Sequence, residues 1–166
     1  MNWRMYERKS TADLQERGCS LSLRTTLAFM QGGAYHIKSV ATNEFLRWPV
    51  KAGDPLTLGT TKGEWVIDPP PDPNEIVAST IYSALEGLYA GVDHEVQGTK
   101  IIAVTNPYKF EIAPTPEGLY SIYPVGTELY WASNSTISPA IELIAGSDIK
   151  GNEGFFNITP VENNNF

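Results

Sequence analysis

Three hexapeptides in this chain end alike: Glu64-Trp65-Val66-Ile67-Asp68-Pro69, Lys109-Phe110-Glu111-Ile112-Ala113-Pro114 and Phe155-Phe156-Asn157-Ile158-Thr159-Pro160. Each carries an aromatic residue, an Ile two positions on and a Pro two positions beyond that, and the aromatics are spaced by 45 and 46 residues. Successive side chains of a strand point to opposite faces, so an aromatic and an Ile two apart make one buried face. Proline has no N–H to give, so the strand cannot run on as an interior ladder. The chain is therefore expected to be built from three copies of one β unit.

Further strand candidates recur in each copy, bounded by Gly, Pro, Asn and Asp as hairpins require. First strands are Tyr35 to Val40, a segment of unfixed register within Glu75 to Ser83, and Leu119 to Tyr123. Second strands are Phe45 to Trp48, Leu88 to Val92 and Leu129 to Ala132; third strands are Leu56 to Leu58, Ile101 to Val104 and Ile141 to Ile144. With the closing strands this makes twelve. After residue 32 no stretch sustains a 3.6-residue period, so little helix is expected. Three four-stranded units of about 45 residues match an all-β β-trefoil, a closed six-stranded barrel capped by three hairpins. One unit alone cannot bury its aromatic and Ile face, whereas three around a pseudo-threefold axis close a core and leave no free edge. A monomer is expected.

At 166 residues the chain is one domain's worth, and its 42% apolar and 19% charged composition is that of a globular protein. Residues 1–31 stand outside the repeats as an N-terminal tail, disordered or partly helical around Ser10-Thr11-Ala12-Asp13; residues 32–166 form the trefoil domain. The tail holds five basic and three acidic side chains, leaving 7 basic and 16 acidic in the body. Such a field repels phosphate backbones and anionic membranes, so neither nucleic acid nor membrane is an expected partner. Cys19 is the single cysteine, no secretory signal can be read near Leu21-Ser22-Leu23, and no apolar run is long enough to span a bilayer. A soluble protein of the reducing cytoplasm is expected.

Catalytic patterns are missing: neither His36 nor His94 has a companion at metal-ligand spacing, and no nucleophile elbow or phosphate loop occurs. Asp93-His94-Glu95 reads as a solvated hairpin turn. No enzyme, metal or cofactor is expected. Of the four tryptophans, Trp65 belongs to a closing strand and to the core, while Trp48 and Trp131 either pack beneath hairpins or offer platforms for a sugar. Ricin-type trefoil lectins mark each unit with Gln-x-Trp, and here those places read Gly63-Glu64-Trp65, Tyr108-Lys109-Phe110 and Gly154-Phe155-Phe156.

One loop draws attention by its charge. Arg47-Trp48-Pro49-Val50-Lys51-Ala52-Gly53, followed by Asp54-Pro55, places two of the body's seven basic residues between the second and third strands of the first unit. Prolines stiffen both ends, which lowers the entropy lost on binding. A trypsin-like protease accepts Lys or Arg over a carboxylate, and small residues follow Lys51. The plain alternative is a solubilising surface hairpin.

Gly33-Ala34-Tyr35-His36-Ile37, Gly87-Leu88-Tyr89-Ala90-Gly91-Val92 and Phe155-Phe156-Asn157-Ile158-Thr159-Pro160-Val161 give the chain, over residues 33–162, a resemblance to the cospin-type serine protease inhibitors of mushrooms. The resemblance implies a disulfide-free β-trefoil that inhibits a trypsin-like serine protease through one exposed loop, with a basic residue between the first unit's second and third strands as the bait. Arg47 matches that place by position and Lys51 by its neighbours. Two other functions compete: a carbohydrate-binding fungal trefoil lectin, and an inhibitor of cysteine or asparaginyl proteases baited with Asn106 or Asn134.

Overall fold

A computed structural model of the chain describes residues 33–133 and 139–162. The tail expected over residues 1–31 and the Asn134 bait lie outside the described residues.

Among the described residues, alternation of apolar and polar side chains produces twelve short strands. In the first unit these are β1 (Ala34–Ser39), β2 (Phe45–Leu46), β3 (Leu58–Gly59) and β4 (Trp65–Asp68); in the second, β5 (Val77–Ser83), β6 (Leu88–Gly91), β7 (Ile102–Val104) and β8 (Lys109–Pro114). The third holds β9 (Tyr120–Pro124), β10 (Leu129–Ser133), β11 (Ile141–Ala145) and β12 (Phe156–Pro160), with one 3-10 turn at Gly146–Asp148. No described helix is long and apolar enough to cross a membrane.

First and fourth strands pair in a ring. β1 pairs with β4, β4 with β5, β5 with β8, β8 with β9, β9 with β12, and β12 returns to β1, always antiparallel. The remaining strands form three hairpins, β2–β3, β6–β7 and β10–β11. This is the β-trefoil that the triple repeat predicts. Trp65, Phe110 and Phe156 are wholly buried, as are Ile67 and Ile112, with Ile158 at 9% exposure. The three closing strands end at Asp68, Pro114 and Pro160, where the prolines fall.

The three units share a backbone path more than they share volumes. At equivalent points of the second strands stand Leu46, Ala90 and Trp131, all buried. The large Trp131 meets Phe110 and Phe156 edge-on, with ring centroids 5.0 and 6.2 Å away. Edge-to-face pairs add about 0.5–1.5 kcal/mol each beyond area burial.

A circle of backbone hydrogen bonds joins the hairpins on the axis. Leu56 N–H donates to the Ile101 carbonyl (2.8 Å), Ile101 N–H to Ile141 (2.9 Å) and Ile141 N–H back to Leu56 (3.1 Å). Around it runs a wider set: Ala103 N–H to Asp54 (2.9 Å), Leu143 N–H to Thr99 (2.8 Å) and Leu58 N–H to Pro139 (2.8 Å). All three residues of the inner circle are fully buried, so each bond satisfies groups that water cannot reach.

Replacing Ile112 by Ala removes a fully buried side chain from the repeat and is expected to cost about 2–5 kcal/mol in urea unfolding. Ile76→Ala, at a residue 57% exposed, is expected to stay within about 0.5 kcal/mol.

Candidate functional site

The loop after β2 leaves the barrel earlier than the sequence suggests. Pairing was expected through Trp48, yet β2 stops at Leu46. Arg47 N–H makes the last rung to the Thr57 carbonyl (3.0 Å). Pro49 cannot donate, so the chain turns outward before it. Trp48 is half-buried, and its indole N–H reaches the Glu64 carbonyl at 3.3 Å. Pro49 itself is buried, whereas Val50 is 80% exposed and Lys51, Ala52 and Gly53 are exposed with it.

Lys51 to Asp54 form a tight turn. Asp54 N–H donates to the Lys51 carbonyl, and Lys51 N–H donates to Asp54 Oδ2, both at 3.2 Å. Gly53, the third residue of the turn, takes φ +90°, a conformation that glycine adopts without strain. Its N–H points out of the turn to the Ala103 carbonyl at 2.8 Å, and Ala103 N–H returns to Asp54 at 2.9 Å. Two residues later Leu56 joins the central circle. The turn is thus stitched to the second unit on one side and to the β2–β3 rung on the other.

The two basic residues are placed differently. Lys51 stands at the exposed tip. The Arg47 stem lies across β3, so close to Gly59 that a Cβ there would come 2.5 Å from Arg47 Cδ. Beside the turn, Ala52 and Gly53 face Asp93, Val104, Asn106 and Tyr108 across an open cleft of about 460 Å³. Charge is uneven among the units. Residues 33–69 hold four basic and four acidic side chains, residues 70–114 two and six, and residues 115–162 one and six. The Lys51 turn therefore projects from the unit with no net charge on an otherwise acidic body.

Other candidates resolve by burial and partners. Trp131 is wholly buried and offers no sugar platform. Asp93, His94 and Glu95 are exposed on the β6–β7 connection. There Glu95 Oε1 accepts the Tyr108 hydroxyl at 2.6 Å. Burial first, then this bond and the carboxylate's charge, push the Tyr108 phenol well above the usual tyrosine range. Among the described residues no group of three His, Cys, Asp or Glu side chains could hold a metal. Asn106 is exposed between β7 and β8.

Two features escaped the sequence. One is Asp54, whose carboxylate and amide close the turn just beyond the expected bait segment. The other is an open groove of about 430 Å³ lined by Ser121, Tyr130, Gly146, Ile149 and Phe155. Tyr130 lies on Gly146, where a Cβ would come 3.0 Å from the ring, and beside Tyr123 with centroids 5.0 Å apart. Burial, then Glu111, raise the Tyr123 phenol above its ordinary range.

No protein family matches the chain by sequence, and no curated protein does. Solved structures do resemble it. The Macrolepiota procera ricin B-like lectin in complex with lactose is 18% identical with a TM-score of 0.64, over 78% of this chain and 96% of the lectin. The Rhizoctonia solani agglutinin is 15% identical with a TM-score of 0.60, over 78% and 95% of the two chains. A proteinase inhibitor from Coprinopsis cinerea is 16% identical with a TM-score of 0.57, over 78% and 97%. At these identities the shared property is the β-trefoil fold, common here to lectins and to a proteinase inhibitor.

A Cβ at Gly53 would meet nothing within 4 Å, so the cost of Gly53→Ala is conformational alone. It is expected to lower stability by about 1 kcal/mol, and Gly53→Asn by less, because Asn tolerates positive φ. Denaturant midpoints at unchanged slope check both.

Proposed function

We propose that the chain inhibits trypsin-like serine proteases by inserting Lys51 into the specificity pocket. The observation that carries this reading is an exposed lysine at the tip of a turn anchored on both flanks. Arg47 is bonded to Thr57 before it and Gly53 to Ala103 after it.

Chemistry follows from that arrangement. The ammonium meets the carboxylate at the base of the protease pocket, in a site from which water is displaced. In the free chain the Lys51 carbonyl faces the Asp54 N–H. A substrate carbonyl sits in the oxyanion hole, so docking exchanges the Asp54 donor for those of the protease. If the bond after Lys51 is cut, each new end is still held to the barrel by its own flank, and the ends stay in register for resealing. Pre-anchoring also lowers the ordering entropy lost on association. The first unit, with four acidic side chains balanced by four basic ones, opposes a cleft that attracts cations less than the acidic remainder of the body would. The likeness in fold to the Coprinopsis inhibitor is compatible with this reading and does not single it out, since the lectins share it.

A second reading, glycan binding, is favoured by the groove that Tyr130, Ser121 and Gly146 line together, with the Tyr130 ring lying against Gly146. Apolar sugar faces pack on such rings while hydroxyls take the polar rim.

Lys51→Ala is expected to weaken trypsin inhibition by about 100-fold or more, as loss of a central anchor does, with unchanged melting temperature. Arg47→Ala should stay within about threefold, the range of a peripheral contact. Wild-type potency retained in Lys51→Ala, in Arg47→Ala and in the double variant rejects the loop. In a glycan array, Tyr130→Ala is expected to abolish any binding while leaving trypsin inhibition untouched; retention of glycan signal removes the second reading.

A further inference from the structure

The Lys51 turn has a counterpart one unit along. Thr99 N–H donates to the Val96 carbonyl at 3.2 Å, the same closure that Asp54 makes to Lys51. Gly98 takes φ +88° where Gly53 takes +90°. Gly98 N–H reaches out to the Leu143 carbonyl at 2.7 Å as Gly53 N–H reaches Ala103, and three residues after each glycine the chain enters the central circle, at Ile101 and Leu56. Val96 therefore occupies the place of Lys51.

The residues on either side of Val96 are clamped. Glu95 Oε1 holds the Tyr108 hydroxyl at 2.6 Å. Gln97 donates from Nε2 to Asp148 Oδ2 at 3.0 Å and accepts the Ala145 N–H on Oε1 at 3.3 Å. Between two tethered neighbours, Val96 is 58% exposed. An apolar side chain held rigidly in water gains nothing inside the fold, whereas a docking anchor benefits from being immobilised in advance. No comparable side-chain clamps fix Val50 or Ala52 in the first turn.

We propose that Val96 is the bait of a second docking turn, directed at a serine protease with a small apolar specificity pocket and a cationic rim. A short β-branched side chain fits a shallow apolar pocket and has nothing to offer a carboxylate-floored one. Asp93 and Glu95 precede the turn and Asp148 is bonded to Gln97, against Lys100 after it and Lys150 beside Asp148; the second unit as a whole holds six acidic against two basic side chains, so a cationic cleft is the complementary surface. The inference borrows the docking mode proposed for Lys51 and uses none of its residues.

The test is titration of a cationic elastase with the full chain, with trypsin assayed in parallel. Inhibition of the elastase is expected, weakened about 100-fold or more in Val96→Asp and unchanged in Lys51→Ala. Val96→Lys in the Lys51→Ala background is expected to restore trypsin inhibition from the second turn. An elastase untouched by tens of micromolar chain, or inhibited equally by wild type and Val96→Asp, overturns the proposal. Loss of the trypsin result with the elastase result intact overturns the Lys51 reading alone.

Discussion

Three backbone hydrogen bonds running in a circle, Leu56 to Ile101 to Ile141 and back, are the constraint on which this molecule depends. Each hairpin contributes one donor and one acceptor, and none can satisfy its own. Because the bonds are buried, losing one strands a polar pair away from water, at a cost of about 1–3 kcal/mol per group. The hairpins are consequently locked to one another, beyond what apolar packing requires. Side-chain volumes can then vary widely, as Leu46, Ala90 and Trp131 do, without disturbing the path of the chain.

Function is read most naturally as a product of that circle. Gly53 and Gly98 lie three residues before its members and are tied by the next ring of bonds outward. Both turns thus stand on the most constrained part of the fold while their tips meet solvent. Rigid scaffolds that carry exposed tips place binding residues on loops without the entropic cost loops usually bring. The side chains at the tips are then free to differ: a lysine on the unit without net charge, a valine on an acidic one.

Much of the architecture was legible because aromatic, Ile and Pro recur with strand spacing, and all three closing strands follow that spacing. β5 hid its register for a physical reason. Its fully buried positions are Ser79, Ile81 and Ser83, so only one of them is apolar, while the half-buried positions include Tyr82. Ser79 is tolerated because its hydroxyl donates to the Pro69 carbonyl at 2.6 Å. β2 and β3 were drawn too long and out of place, since the pattern of apolar residues continues past Leu46 but the pairing does not. The exposed turn proposed as bait stood out in the sequence through its charge and its prolines. Asp54 was not, because a turn-closing carboxylate looks like any loop acid, and the match between Lys51-Ala52-Gly53 and Val96-Gln97-Gly98 rests on one glycine and on backbone bonds that side-chain chemistry does not announce.

Native-state hydrogen exchange measures the central claim at single amides. If the circle holds both turns, the amides of Leu56, Ile101 and Ile141 exchange only through global unfolding, and those of Gly53 and Gly98 approach that limit although their residues are exposed. Rapid exchange at Gly53 and Gly98, with the inner three still protected, contradicts it: the turns would then be mobile appendages of the barrel and not extensions of its core.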